Sequence, residues 1–308
     1  MTTFLALLPF RAVDGVIALP AIAALLLAAL PGRRRSAAIN VVASFLTFLL
    51  ATTLLVERPT PGGYLFVDDL NVVFVVLGTF VGFTTSIFSA SYIAHENDAG
   101  KLSPGQLRFY HGMYQALAFA MNLGLLADNI GLMWVAVELA TLTTVLMVGI
   151  YRTHDALEAA WKYFILGSVG IALALFGTIL VYMAAQPAIG EGEKAMVWTV
   201  LVVEAPKFNP ELLNVAFVFL MLGYGTKVGL APLHAWLPDA HAEGPTPISA
   251  VLSGLLLNVA LYALLRFKML LAANPATVAP GPLMVTLGLL SLIFAGFMLY
   301  RRRDIKRL

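Results

Sequence analysis

Cysteine is absent from the 308-residue chain, which removes disulfides, thiolate zinc sites and iron–sulfur ligation together. A redox centre held by thiolates therefore belongs to another chain. Charge is also scarce. Asp, Glu, Lys and Arg make up 12% of the residues, where a soluble domain carries about a quarter. The net charge of +2 gives no electrostatic footprint for nucleic acid. Low-complexity tracts and direct repeats are missing too. What fills the chain is apolar: 60% of residues are hydrophobic and the mean hydropathy is +0.88. Those roughly 185 side chains exceed what a soluble core of this size buries, and suffice for nine bilayer crossings of about 20 residues each. High hydrophobicity with little net charge also excludes disorder.

Apolar runs of spanning length fall at about 14–30, 37–56, 69–92, 111–127, 130–150, 157–184, 212–236, 247–270 and 282–300. Each is continuous, which excludes the alternating strands of a membrane barrel. The sequence predicts an all-α fold, a polytopic transmembrane bundle of about nine helices. No small-residue cleavage site follows the first run, so it reads as a retained helix. The basic residues of alternate loops set the orientation. Loops 31–36, 93–110, 151–156 and the tail from Arg301 hold eleven Lys and Arg, against six on the opposite side, where Arg266 and Lys268 sit at a helix end. This places the N-terminus outside and the C-terminus in the cytoplasm, in a multi-pass protein of the inner (cytoplasmic) membrane. Segment 185–211, broken by Pro187, Gly190, Gly192, Pro206 and Pro210, reads as an outer loop without regular elements.

Few ionisable residues remain inside the spans. Glu138, in LMWVAVELATLTTVLMVG, is the single carboxylate well inside an apolar run. A charge there costs roughly 2.5–3.5 kcal/mol on insertion scales, so it faces the bundle interior and marks a functional site or ties two helices together. Lys227 lies about 15 residues into the seventh run, between Gly223, Gly225 and Gly229, with Pro232 five residues on. Glycines and proline weaken the helical ladder, and a helix broken at depth is tolerated only beside protein or water, where transporters place ion sites. A buried amine and a nearby carboxylate can exchange charge states as their surroundings change, which is what a proton relay requires. The alternative for Lys227 is snorkelling to the interface. Lys162 has two readings as well: an ion pair at i,i+4 with Glu158 at the membrane surface, or a relay residue facing the bundle. His234, seven residues after Lys227, either extends the relay or caps the half-helix. His241 sits in a polar turn, WLPDAHAEGPTPIS, and the spacing of the five histidines matches no zinc motif. In the eighth span Ser253 and Asn258 either orient water or act as interhelical glue, with Asn258 the better candidate for water. No metal or cofactor set is expected.

The runs LADNIGLMWVAVELATL, GYGTKVGLAPLHAWLPDAHAEGPTPISAVLSG and RRRDIKRL resemble the antiporter-like proton-translocating subunits of NADH–quinone oxidoreductase (complex I) and of the membrane-bound hydrogenases. ISAVLSGLLLNVALYALLRF, with Ser and Asn where the complex I subunits often carry His or Lys, is most similar to the hydrogenase-4 component F branch. Multisubunit cation/proton antiporters belong to the same superfamily. The resemblance runs from about residue 64 onward. It implies that Glu138 corresponds to the fifth-helix glutamate, Lys162 to the sixth-helix lysine and Lys227 to the lysine of the broken seventh helix. It also implies that helices four to eight form the first of two inverted repeats, the second continuing past Leu308.

On this basis residues 1–110 are expected to hold helices one to three, 111–270 the proton-translocating core, and 271–308 the ninth helix and a basic tail. The expected function is proton translocation along an intramembrane Glu/Lys axis, without a redox centre of its own, in a redox-driven complex. Its expected partners are other membrane subunits and, through them, a hydrophilic redox arm, with no nucleic acid. The alternative is a subunit of a cation/proton antiporter or another ion-coupled transporter, and a third reading is a structural membrane anchor for a soluble hydrogenase.

Overall fold

The computed structural model describes residues 11–29, 32–59, 63–301 and Lys306. The basic tail residues Arg302, Arg303 and Arg307 lie outside the described residues. The long helices are α1 (Ala12–Ala29), α2 (Arg33–Thr53), α3 (Asp69–Asp98), α4 (Pro104–Leu126), α5 (Ile130–Val148), α6 (His154–Ile189), α7 (Pro210–Val228), α8 (Thr246–Ala272) and α9 (Pro280–Arg301). The fold is all-α, and the nine predicted spans each meet one of these helices.

Eight of the nine are long and apolar enough to cross a membrane. The ninth, α4, is long enough but buries His111, Gln115 and Asn122. It can do so because α1, α2, α3, α5 and α8 all pack against it, so its surface need not match lipid. At 1.5 Å per residue the 36 residues of α6 extend about 54 Å, well beyond a hydrocarbon core of about 30 Å. At the other extreme the apolar window of α9 is 0% buried in this chain.

Helix boundaries follow local chemistry. Asp68 caps α3 in a capping box with Asn71, and Ser103 caps α4 in one with Gln106, so the free N–H groups of both first turns are satisfied. Helices α6 and α7 pack backbone to backbone. A Cβ at Gly223 would lie 2.5 Å from Ala174 N and 2.6 Å from Gly170 O, a closeness that only glycine permits.

Two expectations are corrected. Segment 185–211 is not irregular: α6 runs through Pro187 to Ile189, and a short helix, Trp198–Glu204, follows. Trp198 and Leu201 are buried, and packing these apolar residues outweighs the flanking proline and glycine. The turn that holds His241 is likewise a short helix, Leu237–Glu243.

Arg266 lies toward the end of α8, as expected, but is buried and not a surface charge. It is 1% exposed and forks onto Asp68, both bonds at 2.7 Å. Its Nε donates to the Tyr262 hydroxyl at 2.8 Å, and its guanidinium lies 4.2 Å from the Trp198 ring centroid and 4.8 Å from that of Phe66. Burial pushes the Asp68 carboxyl up, but the Arg266 hydrogen bonds and the N–H groups of Asn71 and Leu70 outweigh it and hold the group below the usual carboxylate range. The pair ties the start of α3 to the end of α8, with the short helix Trp198–Glu204 stacked on it through Trp198.

Candidate functional site

Helix α7 stops one residue after Lys227. Gly229 takes φ 80° and caps the helix, donating to Gly225 O and Thr226 O, a left-handed position that suits glycine. Leu230 N donates to Gly225 O at 2.9 Å. From Leu230 to Trp236 the chain is a series of turns containing a cis Ala231–Pro232 bond. The carbonyls freed by this break find new donors: the Trp236 indole donates to Thr226 O at 2.8 Å. Ser291 of α9 accepts from Ala231 N, also at 2.8 Å. The predicted broken helix is thus present, with the Gly225 and Thr226 carbonyls at its end bonded inside protein.

Lys227 is 0% exposed. Its Nζ donates to Thr141 Oγ1 at 2.6 Å and stands 4.0 Å from Glu138 Oε2. Thr141 lies three residues after Glu138, on the same face of α5. The Tyr163 ring centroid is 5.7 Å from Nζ. Tyr163 is itself held by a 2.7 Å hydrogen bond to Thr144 and by stacking on Trp236, with ring centroids 4.4 Å apart. Glu138 is one-fifth exposed, and its enclosed Oε2 has no hydrogen-bond partner among the described residues. The acid and the amine are close enough to interact electrostatically and too far apart to share a proton directly. Transfer between them requires a small movement or an intervening water.

Lys162 stands apart from this pair. Its side chain is about half exposed and bridges Glu158 at 2.7 Å and Asp239 at 3.1 Å, which links α6 to the short helix after the break. His234 does not share a helical face with Lys227, because the helix ends at Val228. It sits in the turn segment with an enclosed, unpartnered Nδ1 and its ring 6.5 Å from that of Phe294. Asn258 donates to Gly254 O at 2.7 Å, inside a π-helical turn, Leu252–Leu256, that interrupts α8. It lines a cavity with α2, α3 and α4 rather than the Lys227 site. Ser253 is exposed.

Sequence reasoning missed Thr141, Tyr163, Trp236 and Gly167. Of these, Thr141 carried a readable signal, being one helical turn from Glu138. Gly167 has the sharpest consequence. A Cβ there would lie 2.8 Å from Lys227 Nζ, and the flexible lysine end would have to yield. Gly167→Ala is expected to leave the fold intact and to displace the ammonium from Thr141. The strain of about 1 kcal/mol corresponds to a roughly fivefold slowing of any step that uses this amine, read as transport rate at equal protein amount.

Comparison with known proteins follows the same lines. A family described as "NADH:quinone oxidoreductase/Mrp antiporter, TM" matches residues 127–308. The chain is 61% identical over 293 residues to the hydrogenase-4 component F homolog of Methylacidiphilum infernorum (isolate V4), covering 95% of this chain and 62% of that protein. It is 28% identical over 249 residues to NADH-quinone oxidoreductase subunit N of Hydrogenovibrio crunogenus (strain DSM 25203 / XCL-2), covering 79% of this chain and 47% of the relative. Among solved structures, a chain of respiratory complex I from Thermus thermophilus with bound aureothin matches with a TM-score of 0.75 and 24% identity, covering 96% of this chain and 60% of that one. A chain of the membrane-bound sulfane sulfur reductase (MBS), an archaeal respiratory membrane complex, matches with a TM-score of 0.81 and 21% identity, over 97% and 61%. At those identities the two structures establish the fold. With more than half of its length matched by the family and its broken α7 in place, this multi-pass membrane chain belongs to the NADH:quinone oxidoreductase/Mrp antiporter transmembrane family.

Proposed function

We propose that this chain moves protons as a membrane subunit of a redox-driven respiratory or hydrogenase complex, with Glu138 and Lys227 as the coupled pair and segment 111–270 as the translocating core. One observation carries the reading. A fully buried ammonium sits at the end of a broken helix, 4.0 Å from the one carboxylate of α5. Burying a charge is expensive unless it is paired and hydrogen-bonded, so an arrangement that pairs this one at the edge of contact is poised to respond when a neighbour shifts. Lys162, on the Glu158–Asp239 bridge, connects the core to the basic end of the bundle. His234, in the turns after α7, is the further candidate on this axis, while Asn258 serves it only through the separate cavity that it lines with α2, α3 and α4. The partners are other membrane subunits and, through them, a hydrophilic redox arm. The topology is N-terminus outside and C-terminus cytoplasmic.

The test is acidification of vesicles that hold the assembled complex, driven by its electron donor. Glu138→Gln, which keeps the side-chain volume and removes the charge, is expected to abolish acidification at equal amounts of assembled complex while electron transfer per complex persists. Undiminished acidification would sink the proposal. The family description also names antiporters, which favours a second reading as a cation/proton antiporter subunit. That reading requires transport driven by an imposed ion gradient with no electron donor present.

A further inference from the structure

Helix α2 is built inside out. Its buried positions are Ser36, Asn40, Ala43, Ser44, Thr47 and Ala51, all small or polar, while Val42, Phe45, Leu46 and Leu49 are exposed. The spacing of 4, 3, 1, 3 and 4 is one helical face, and that face meets α4. There, Gln115 Nε2 donates to Asn40 Oδ1 at 2.8 Å, Asn40 O at 3.0 Å and Ser44 Oγ at 2.9 Å. Polar residues between membrane helices are usually glue. Glue, however, is satisfied glue, and this set is not.

Asn40 Nδ2, Gln115 Oε1 and His111 Nδ1 are enclosed and have no hydrogen-bond partner among the described residues, on residues 0%, 0% and 1% exposed. They account for three of the six such atoms among the described residues, and the other three belong to Glu138, Tyr224 and His234, on α5, α7 and the turns after it. Leaving a buried polar atom unpaired is costly, and three neighbours in one strip call for bridging water.

Space for water exists at both ends of the strip. At its basic end α2, α3 and α4 splay around a basin of about 410 Å³, lined by Arg33, Arg34, Asp98 and His111 among others. Arg33 is ion-paired to Asp98 across the mouth. Farther in, Ser44, Thr47, Gln115, Asn122 and Asn258 give the polar side of an otherwise largely apolar cavity of about 40 Å³, room for two or three water molecules. His111 belongs to the basin and Gln115 to the inner cavity. One helical turn of α4 separates them.

We propose that α2, α3 and α4 enclose an aqueous path, distinct from the Glu138–Lys227 pair, that leads water and protons from the Arg33–Asp98 basin past His111 and the Gln115–Asn40 contact to the cavity beside Asn258. His111 is the one titratable side chain at the junction with an unpartnered ring nitrogen. The hydroxyls of Tyr110 and Tyr114 on the same helix are already bonded to Ser89 and Gly82 O of α3. The hydration of the path stands independently. Its role in transport rests on the proton reading above.

Radiolytic hydroxyl-radical labelling of the native chain in its membrane tests the hydration, because radicals form from water beside the side chain they oxidise. Met121, 5% exposed and lining the inner cavity, and Met147, 0% exposed in the α5 core, share the same intrinsic chemistry. Oxidation of Met121 is expected to run several times faster than that of Met147, and Gln115→Leu is expected to remove the difference. Equal, slow oxidation of both overturns the path. For transport, His111→Phe is expected to slow vesicle acidification severalfold at equal assembled protein. Unchanged acidification with Met121 still labelled overturns the proton role of the path. A pumping Glu138→Gln variant in which Met121 is still labelled would instead remove the proposed function and leave the path standing.

Discussion

Replacing Lys227 by methionine is expected to stop proton translocation while the chain still folds. Methionine fills the space of the lysine stem without its charge, so the α6–α7 contact and the Trp236 cap on Thr226 survive. The step that fails is proton transfer: losing a positioned acid–base group slows it by on the order of 10²-fold or more. The two halves of the pair are not expected to be equivalent in stability. Lys227→Met leaves Glu138, whose side chain is one-fifth exposed and can be hydrated. Glu138→Gln leaves an amine with no exposure at all, which must either stay charged without its partner or give up its proton, at a cost of up to about 3–5 kcal/mol. The amount of folded chain recovered in mild detergent should therefore fall much further for Glu138→Gln than for Lys227→Met, and the double variant should recover it. Equal yields for the two single variants would mean that Thr141 holds the amine without help from Glu138.

The second large effect concerns stability alone. Asp68→Asn is expected to lower the thermal midpoint sharply, by removing the charge partner of an arginine that is 1% exposed and boxed by Phe66, Trp198 and Tyr262. Asp68 itself is one-third exposed, so the loss belongs at the low end for a broken buried pair, about 3 kcal/mol. Arg266→Met in the same background should restore much of it, because a hydrophobic chain of similar length suits the aromatic box better than an unpaired guanidinium. The pH dependence has a definite sign. Asp68 is held below the ordinary carboxylate value near 4, so its contribution is complete above that value and is lost as pH falls through the lower, folded one. A thermal midpoint unaffected by Asp68→Asn would mean that the aromatic box alone holds Arg266.

How these sites could have been found differs from residue to residue. Glu138 and Lys227 were legible because each is an ionisable side chain in a long apolar run, where the free energy of insertion alone marks it. The break after Lys227 was legible because glycine and proline act locally on the backbone. The polar face of α2 was equally legible in principle, since Ser36, Asn40, Ser44 and Thr47 recur at helical spacing, but neutral side chains stand out less than charges against an apolar background. Lys162 carried no such mark. An amine two turns into a helix is compatible with the interior and with the surface, and its partner Asp239 is 77 residues away. Arg266 gave a false signal, since a terminal basic residue on an apolar helix usually reaches for headgroups.

The linear order of residues was enough to establish the nine long helices of the described residues, a membrane location and two charges that had to be accommodated inside it, because each of these depends on composition and near-neighbour chemistry. Which helices touch was beyond it. That Nζ of Lys227 rests on Thr141, that Asn258 opens toward α2 and α4 and not toward Glu138, and that Arg266 faces Asp68 across 198 residues are consequences of close packing. They follow from where small residues such as Gly170, Gly177 and Gly223 let backbones meet, and contacts between segments distant in sequence leave no trace in the order of residues along either one.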